Sequence, residues 1–130
     1  MAEHPNVALL RRGYEAFAKG DMATLTELFA ENIVWHVPGN NLISGEHRGR
    51  DAVFAFFGQI AQLSGGTYQV KLHDALANDE HAVALARVTG SRQGKQIDFL
   101  DVAVYHVSDG KIAEAWSFTD DQRAEDEFWS

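Results

Sequence analysis

The chain has 130 residues, 45% of them hydrophobic, with no cysteine and a formal net charge of −8, which predicts one domain over residues 1–130. The acidic balance argues against a nucleic-acid ligand, since phosphate binding needs lysine and arginine, and the lack of cysteine excludes disulfides and cysteine-bound metals. No apolar run approaches the roughly 20 residues of a membrane span, and residues 1–6 do not resemble a signal peptide. We therefore expect a cytoplasmic protein without membrane contact.

The first half of the chain has the apolar spacing of helices. A first helix begins near Val7 and ends at Gly20, and Asp21 caps the next one. A third helix is predicted from Arg50 to about Leu63. Two further segments separate the second helix from the third, namely a strand at residues 33–37 and a loop at residues 40–48.

The second half of the chain alternates like β-strands. Four strands are predicted, at residues 67–75, 82–91, 96–107 and 111–119. The last two flank Asp109-Gly110, a pair that supplies the positive φ angles of a tight hairpin turn. The acidic tail, residues 120–130, is compatible with a helix, and its terminal Phe128-Trp129 should pack on the domain. Helices followed by consecutive hairpins predict an α+β fold.

Asp101 is the first candidate for chemistry. Alternation places it on one face of its strand among Phe99, Ala103 and Tyr105. A carboxylate among apolar neighbours costs free energy unless it has partners. Asp101 is therefore either a structural hydrogen-bonder, paired with Arg87 or a backbone group, or part of a functional site.

The opposite face of the same strand is also apolar. It carries Leu100, Val102 and Val104, and Ile112, Trp116 and Phe118 alternate similarly on the next strand. Helices can cover only one face of the sheet, so this second face needs another cover. We therefore expect a homodimer through the outer face of the sheet.

Several short motifs follow one another along the chain in a characteristic order: Gly20-Asp21, Leu28-Phe29-Ala30-Glu31-Asn32, Val34-Trp35-His36-Val37-Pro38-Gly39, Ser44-Gly45, Arg48-Gly49-Arg50, Asp109-Gly110-Lys111-Ile112 and Trp116. This order resembles the nuclear transport factor 2-like superfamily over essentially the whole chain, with its SnoaL-like and ketosteroid isomerase-like branch the nearest. The resemblance implies a cone in which three N-terminal helices pack into a curved, mostly antiparallel sheet around one apolar pocket. It does not decide the activity, because this scaffold hosts isomerases, cyclases, dehydratases, hydrolases and non-catalytic binders.

The resemblance also implies roles for particular residues. Counted back from Ser44-Gly45, His36 stands where ketosteroid isomerases place the aspartate that shuttles a proton, and an imidazole with an unperturbed pKa of about 6.5 can do so. The alternative is a histidine that only satisfies its hydrogen bonds in a semi-polar cavity. Asp101 would be its partner, in the manner of the isomerase's oxyanion-binding acid, although Ala103 is the alternative occupant of that position.

The remaining pocket candidates are one tyrosine and a set of neighbours. Tyr14 resembles the isomerase's helix-one tyrosine, but the count from Gly20-Asp21 selects Gly13, so a core aromatic is the alternative. The other expected ligand-binding residues are Phe17, His47, Phe57, Ala103, Tyr105 and Ser117. SnoaL-type cyclases have a histidine before and an aspartate after the last strand's tryptophan, whereas Ala115 and Ser117 flank Trp116 here. That cyclase mechanism is therefore not expected.

Three functions remain open at this point. The first is a cofactor-independent enzyme of isomerase, dehydratase or cyclase type, acting on an apolar carbonyl-bearing substrate with His36 and Asp101 as its catalytic residues. The second is a non-catalytic binder of an apolar small molecule, and the third is a scaffold with an incidental cavity. No histidines have metal-ligand spacing, so we expect neither metal nor cofactor. A short distance from His36 to Asp101 or Tyr14 would favour the enzyme.

Overall fold

The computed structural model describes residues 3–130. In chain order its elements are α1 (Pro5–Lys19), α2 (Met22–Leu28), β1 (Phe29–Val37), β2 (Gly45–Arg48), α3 (Arg50–Leu63), β3 (Gln69–Ala77), β4 (His81–Arg92), β5 (Lys95–Ser108), β6 (Lys111–Thr119) and α4 (Gln122–Phe128). The strands form one sheet in the order β2-β1-β6-β5-β4-β3. Neighbours are antiparallel except β1 and β6, which are parallel. The predicted α+β fold is confirmed.

The hairpin of β5 and β6 forms as predicted, and the region around β1 differs. Asp109 and Gly110 have φ angles of 54° and 73°, as the tight turn requires. The prediction of a loop throughout residues 40–48 is wrong, because Gly45–Arg48 pairs with β1 as an edge strand. Its polar, mostly exposed residues have no hydrophobic alternation to reveal it. β1 also begins earlier than predicted, at Phe29.

The two faces of β5 separate as alternation predicts. Ala103 and Tyr105 are buried on the inner face, which α1 and α3 cover, while Val102 and Val104 lie on the outer face. Ile112 is an exception, since it is buried rather than exposed on the outer face. The β5–β6 pairing shifts register at a bulge that directly follows Ile112 on β6, and a shift of one residue reverses which side chains point inward.

The acidic tail is docked, as predicted. Asp121 caps α4 by accepting a hydrogen bond from the backbone N–H of Ala124 at 3.1 Å. Phe128 and Trp129 are each only 1% exposed and pack with the apolar residues Val88, Ile97 and Phe99. α4 therefore closes one end of the inner face. Within residues 3–130, no helix is both long enough and apolar enough to cross a membrane.

Candidate functional site

A cavity of about 90 Å³ lies between the inner face of the sheet and helices α1 and α3. Most of its wall is aromatic or aliphatic. The side chains and backbone that line it belong to Leu10, Gly13, Tyr14, Phe17, Leu25, Phe29, Trp35, Phe56, Phe57, Ile60, Tyr68, Val70, Asp101, Tyr105, Ile112 and Ser117. A concave, mostly apolar site with a few polar groups is the usual form of a small-molecule site.

Asp101 is the carboxylate in this wall. Its neighbours across the sheet are Ala86 on β4 and Thr119 on β6. Burial raises the pKa of the Asp101 carboxyl from its ordinary 3.8 to about 7, because an apolar surrounding disfavours the charged form. The predicted structural pairing with Arg87 is wrong, since Arg87 points to the opposite face and donates to Asp98 at 2.6 Å. No side chain within residues 3–130 forms a hydrogen bond or ion pair with Asp101.

Two tyrosine hydroxyls are joined near this carboxyl. The Oη atoms of Tyr14 on α1 and Tyr105 on β5 lie 2.7 Å apart, and their rings meet edge to face. Burial raises the pKa of both phenols well above the ordinary value, and the charge of Asp101 adds to the effect. Burial is also the main cause that raises the pKa of Tyr68, and the negative charge of Asp101 raises it further. These hydroxyls are therefore protonated at neutral pH and can act as hydrogen-bond donors.

Trp35 and Ser117 form a second polar contact in the wall. The indole N–H of Trp35 donates to Ser117 Oγ at 3.0 Å. The Trp35 ring packs edge to face against Phe57 and Tyr105, with centroids 5.3 and 5.7 Å apart. Because Ser117 accepts this bond, its own hydroxyl hydrogen can be donated to a ligand.

Glu125 is a second buried carboxyl, supplied by α4. It is only 7% exposed and lies on the same face of α4 as the buried Phe128. Burial raises the pKa of the Glu125 carboxyl to about 7, and the negative charge of Asp101 adds to this shift. The docked tail thus places a second titratable group close to the carboxyl of the cavity.

His36 lies on the outer face of the sheet, and the prediction that it faces the cavity is wrong. Its Nε2 donates to the carboxylate of Glu114 at 2.5 Å, and its Nδ1 is 3.6 Å from Glu46. Its ring stacks on Trp116 with a centroid distance of 5.5 Å. The inward position of this strand belongs to Trp35, the preceding residue, because successive side chains of a strand point to opposite faces.

Residues 10–115 match the family model described as the SnoaL-like domain. The chain belongs to the SnoaL-like domain family. It is 37% identical to an uncharacterized protein of Mycobacterium tuberculosis over 131 residues, which cover 100% of both chains. It also matches Bal32a from a soil-derived mobile gene cassette, with 41% identity, a TM-score of 0.94 and 97% of each chain covered.

A more distant structure has the same fold as this SnoaL-like protein. A nuclear transport factor 2-like protein from Burkholderia xenovorans has a TM-score of 0.84, covering 100% of this chain and 99% of that one. At 21% identity this likeness concerns the fold alone. The family match confirms the predicted SnoaL-like branch, and this likeness confirms the predicted fold.

The other predicted site residues of this SnoaL-like protein fall into two groups. Those that line the cavity are Tyr14, Phe17, Phe57, Asp101, Tyr105 and Ser117. His47 and Ala103 do not line it, so their predicted placement is wrong. His47 lies behind Phe56, stacked on its ring at 4.3 Å, and its Nε2 donates to the carbonyl of Ile43. Ala103 is 1% exposed and belongs to the packed core.

Sequence reasoning missed two polar residues of the cavity wall of this SnoaL-like protein, Trp35 and Tyr68, and one buried carboxyl, Glu125, whose pKa responds to Asp101. Trp35 carries a signal that could have been used, because it alternates with the buried Ile33 and Val37. Tyr68 stands at a helix-to-strand connection without any periodicity. Glu125 lies in an acidic tail, where a carboxylate normally faces water, and only the docking of α4 reveals it.

Proposed function

We propose that this SnoaL-like protein is a cofactor-independent enzyme that performs acid–base chemistry next to the carbonyl group of an apolar small molecule. The reaction would be of isomerase, dehydratase or cyclase type. The observation that carries this proposal is the carboxyl of Asp101, which stands in a mostly apolar cavity without a protein partner among residues 3–130. Perturbed carboxyls of this kind concentrate at functional sites.

Asp101 is the proton acceptor in this proposal. With a pKa of about 7, its carboxyl is divided between the ionised and neutral forms near neutral pH. Such a group can remove a proton from the carbon next to a carbonyl and return it elsewhere on the substrate, because general bases work best when their pKa lies near the working pH. Asp101 thereby replaces His36, which has no access to the cavity.

Tyr14 is the electrophilic partner. Its hydroxyl is supported by that of Tyr105, so one of the two retains a hydrogen for a substrate oxygen. A neutral donor aimed at the oxygen where negative charge develops stabilises the enolate-like transition state. Ser117 supplies a second hydroxyl in the same cavity. Together, these groups allow enolisation without a metal or an organic cofactor.

Exchange of the α-protons of methyl ketones in deuterated water, followed by proton NMR, tests this function. Wild-type protein should catalyse exchange at a rate that rises with pH up to about 7 and then levels off, as Asp101 ionises. Asp101→Asn should abolish exchange, and Tyr14→Phe should slow it by about 10²–10³-fold. Asp98→Asn is the matched control, because it removes an exposed carboxylate of the same strand. Equal rates in the Asp101 and Asp98 variants would refute the proposal.

Binding without catalysis is the second candidate. The separation of His36 from Asp101 and Tyr14 favours it, since a close pairing of these groups was the arrangement expected of the enzyme. In that function the cavity would hold an apolar metabolite and Asp101 would accept a hydrogen bond from it. Saturable ligand binding with no α-proton exchange would support this candidate. A cytoplasmic location stays a prediction for both.

We also propose that the protein is a homodimer through the outer face of the sheet. Cross-strand pairing sets Val102 beside Phe118 and Val104 beside Trp116, so the apolar side chains form one continuous patch. Phe118 is 51% exposed in the single chain. A second copy of the chain, related by a twofold axis, would cover this patch with an identical one.

A further inference from the structure

A second, larger cavity adjoins the one that holds Asp101. It has a volume of about 280 Å³ and opens between the α1–α2 connection and α3. We call it the outer cavity and the first one the inner cavity. Five residues line both and so form a common wall, namely Phe17, Leu25, Phe57, Ile60 and Tyr68.

The common wall is thin and mostly aromatic. Phe17 and Phe57 meet edge to face with centroids 5.0 Å apart, and Phe17 meets Tyr68 at 6.4 Å. All three are only half-buried, whereas Leu25 and Ile60 are buried. Each aromatic ring is therefore partly accessible, and Phe17 and Phe57 stand between the two cavities.

The inner cavity is too small for a substrate of ordinary size. Its volume of about 90 Å³ is below the ~150 Å³ of an apolar cavity known to hold benzene. A carbonyl group and the carbons next to it fit within this space. A larger apolar body has to extend beyond the aromatic wall, and the outer cavity is the adjoining space.

The outer cavity has the chemistry of a site for hydrocarbon. None of the described residues that line it is charged, and its own walls include Met22, Phe54 and Ala61. The Ser64 hydroxyl in this wall accepts the backbone N–H of Tyr68 at 3.3 Å and bonds the carbonyl of Ala61, so it does not require a ligand. Removing alkyl or aryl groups from water here would be favourable.

We propose that the outer cavity binds the apolar chain of a substrate whose carbonyl group lies in the inner cavity, with Phe17 and Phe57 as the gate between them. This inference rests on the proposed function, because Asp101 and Tyr14 fix which end of the ligand enters first. The substrate class is then an elongated ketone or related carbonyl compound with an unbranched or aryl tail.

Gly58 provides a direct test of the outer cavity. It lines that cavity and not the inner one, and a Cβ atom at this position would meet no atom within 4 Å beyond its chain neighbours and the backbone of its own helix. Its backbone is not in the left-handed region, so larger residues are tolerated in α3. Gly58→Leu should fill part of the outer cavity, while Gly58→Ala is the matched control, giving a similar gain in helix propensity with less added volume.

The measurement is the affinity for methyl ketones whose alkyl chains run from ethyl to octyl, by tryptophan fluorescence or calorimetry. Each methylene buried in the outer cavity should tighten binding by about fourfold, from ~0.8 kcal/mol per CH₂. In wild type and Gly58→Ala this increase in affinity should continue into the longer ketones. In Gly58→Leu it should stop at shorter ones, with ethyl and propyl ketones unaffected.

Two outcomes would overturn the inference. In the first, the affinity of wild type for ketones stops rising already at the shortest chains. In the second, the affinity of Gly58→Leu depends on chain length in the same way as that of wild type. The α-proton exchange assay reports on the proposed function separately. A full chain-length profile without exchange would leave the outer subsite standing and refute catalysis. Catalysed α-proton exchange together with an affinity that does not change with chain length would support catalysis and refute the outer subsite.

Discussion

Asp101 should lower the stability of the folded protein at neutral pH, and replacing it should raise that stability. The native carboxyl has a pKa of about 7 against 3.8 for an exposed aspartate, so the native state holds its proton more tightly than the unfolded state does. Stability must therefore fall as pH rises from about 4 to about 7, and level off above that. At about 1.36 kcal/mol for each pKa unit, the total cost is about 4 kcal/mol.

Asp101→Asn removes the contribution of Asp101 to this dependence because an amide does not ionise, while the buried Glu125 keeps its own contribution. Near pH 4, where Asp101 is neutral in the native state, the variant and wild type should have similar free energies of unfolding. By pH 8 the variant should be more stable by up to about 4 kcal/mol. The assay is urea unfolding followed by tryptophan fluorescence, at one protein concentration and a series of pH values.

Asp98→Asn is the control, since its carboxylate is 57% exposed and forms a surface ion pair with Arg87. It should change the free energy of unfolding by less than about 1 kcal/mol at every pH. The difference between wild type and Asp101→Asn must grow with pH over the stated interval. A difference that stays constant from pH 4 to pH 8 would refute the burial of an unpaired carboxyl at Asp101.

Three further predictions test other parts of the molecule. Deletion of residues 126–130 should lower the melting temperature, because Phe128 and Trp129 are almost fully buried and losing a buried large aromatic costs about 3–5 kcal/mol; an unchanged melting temperature would contradict the docked tail. In sedimentation at micromolar concentration, wild type should be a dimer that Val104→Lys weakens, and a monomeric wild type would contradict the proposed interface. His36→Ala should leave ketone binding and α-proton exchange at wild-type levels, since His36 contacts Glu114 on the outer face; loss of exchange with the fold intact would contradict this placement.

The sequence alone was enough to predict the long hairpin and the inward position of Asp101. An Asp-Gly pair favours a tight turn for local steric reasons, and the two-residue period of a strand follows from backbone geometry. Both are local properties, so Asp101, Ala103 and Tyr105 could be assigned to one face before any packing was known. The burial of Phe128 and Trp129 followed from their apolar surface.

Tertiary structure decided which face of each strand points toward the helices and the cavity. β1 carries apolar residues on both faces, so alternation permits either Trp35 or His36 to point into the cone. Packing of Trp35 against Phe57 and Tyr105 makes that choice, and it turns His36 to the outer face beside Glu114. The energy of this arrangement comes from contacts between residues far apart in the chain.

The chemistry of the site also depends on distant contacts. Asp101 has a pKa of about 7 only because helices and strands from the whole chain exclude water around it. Glu125 acquires its raised pKa only when α4 docks and brings the acidic tail against the core. Residue type and spacing can thus identify a candidate carboxyl, whereas burial and proximity, which determine its ionisation, exist only in the folded chain.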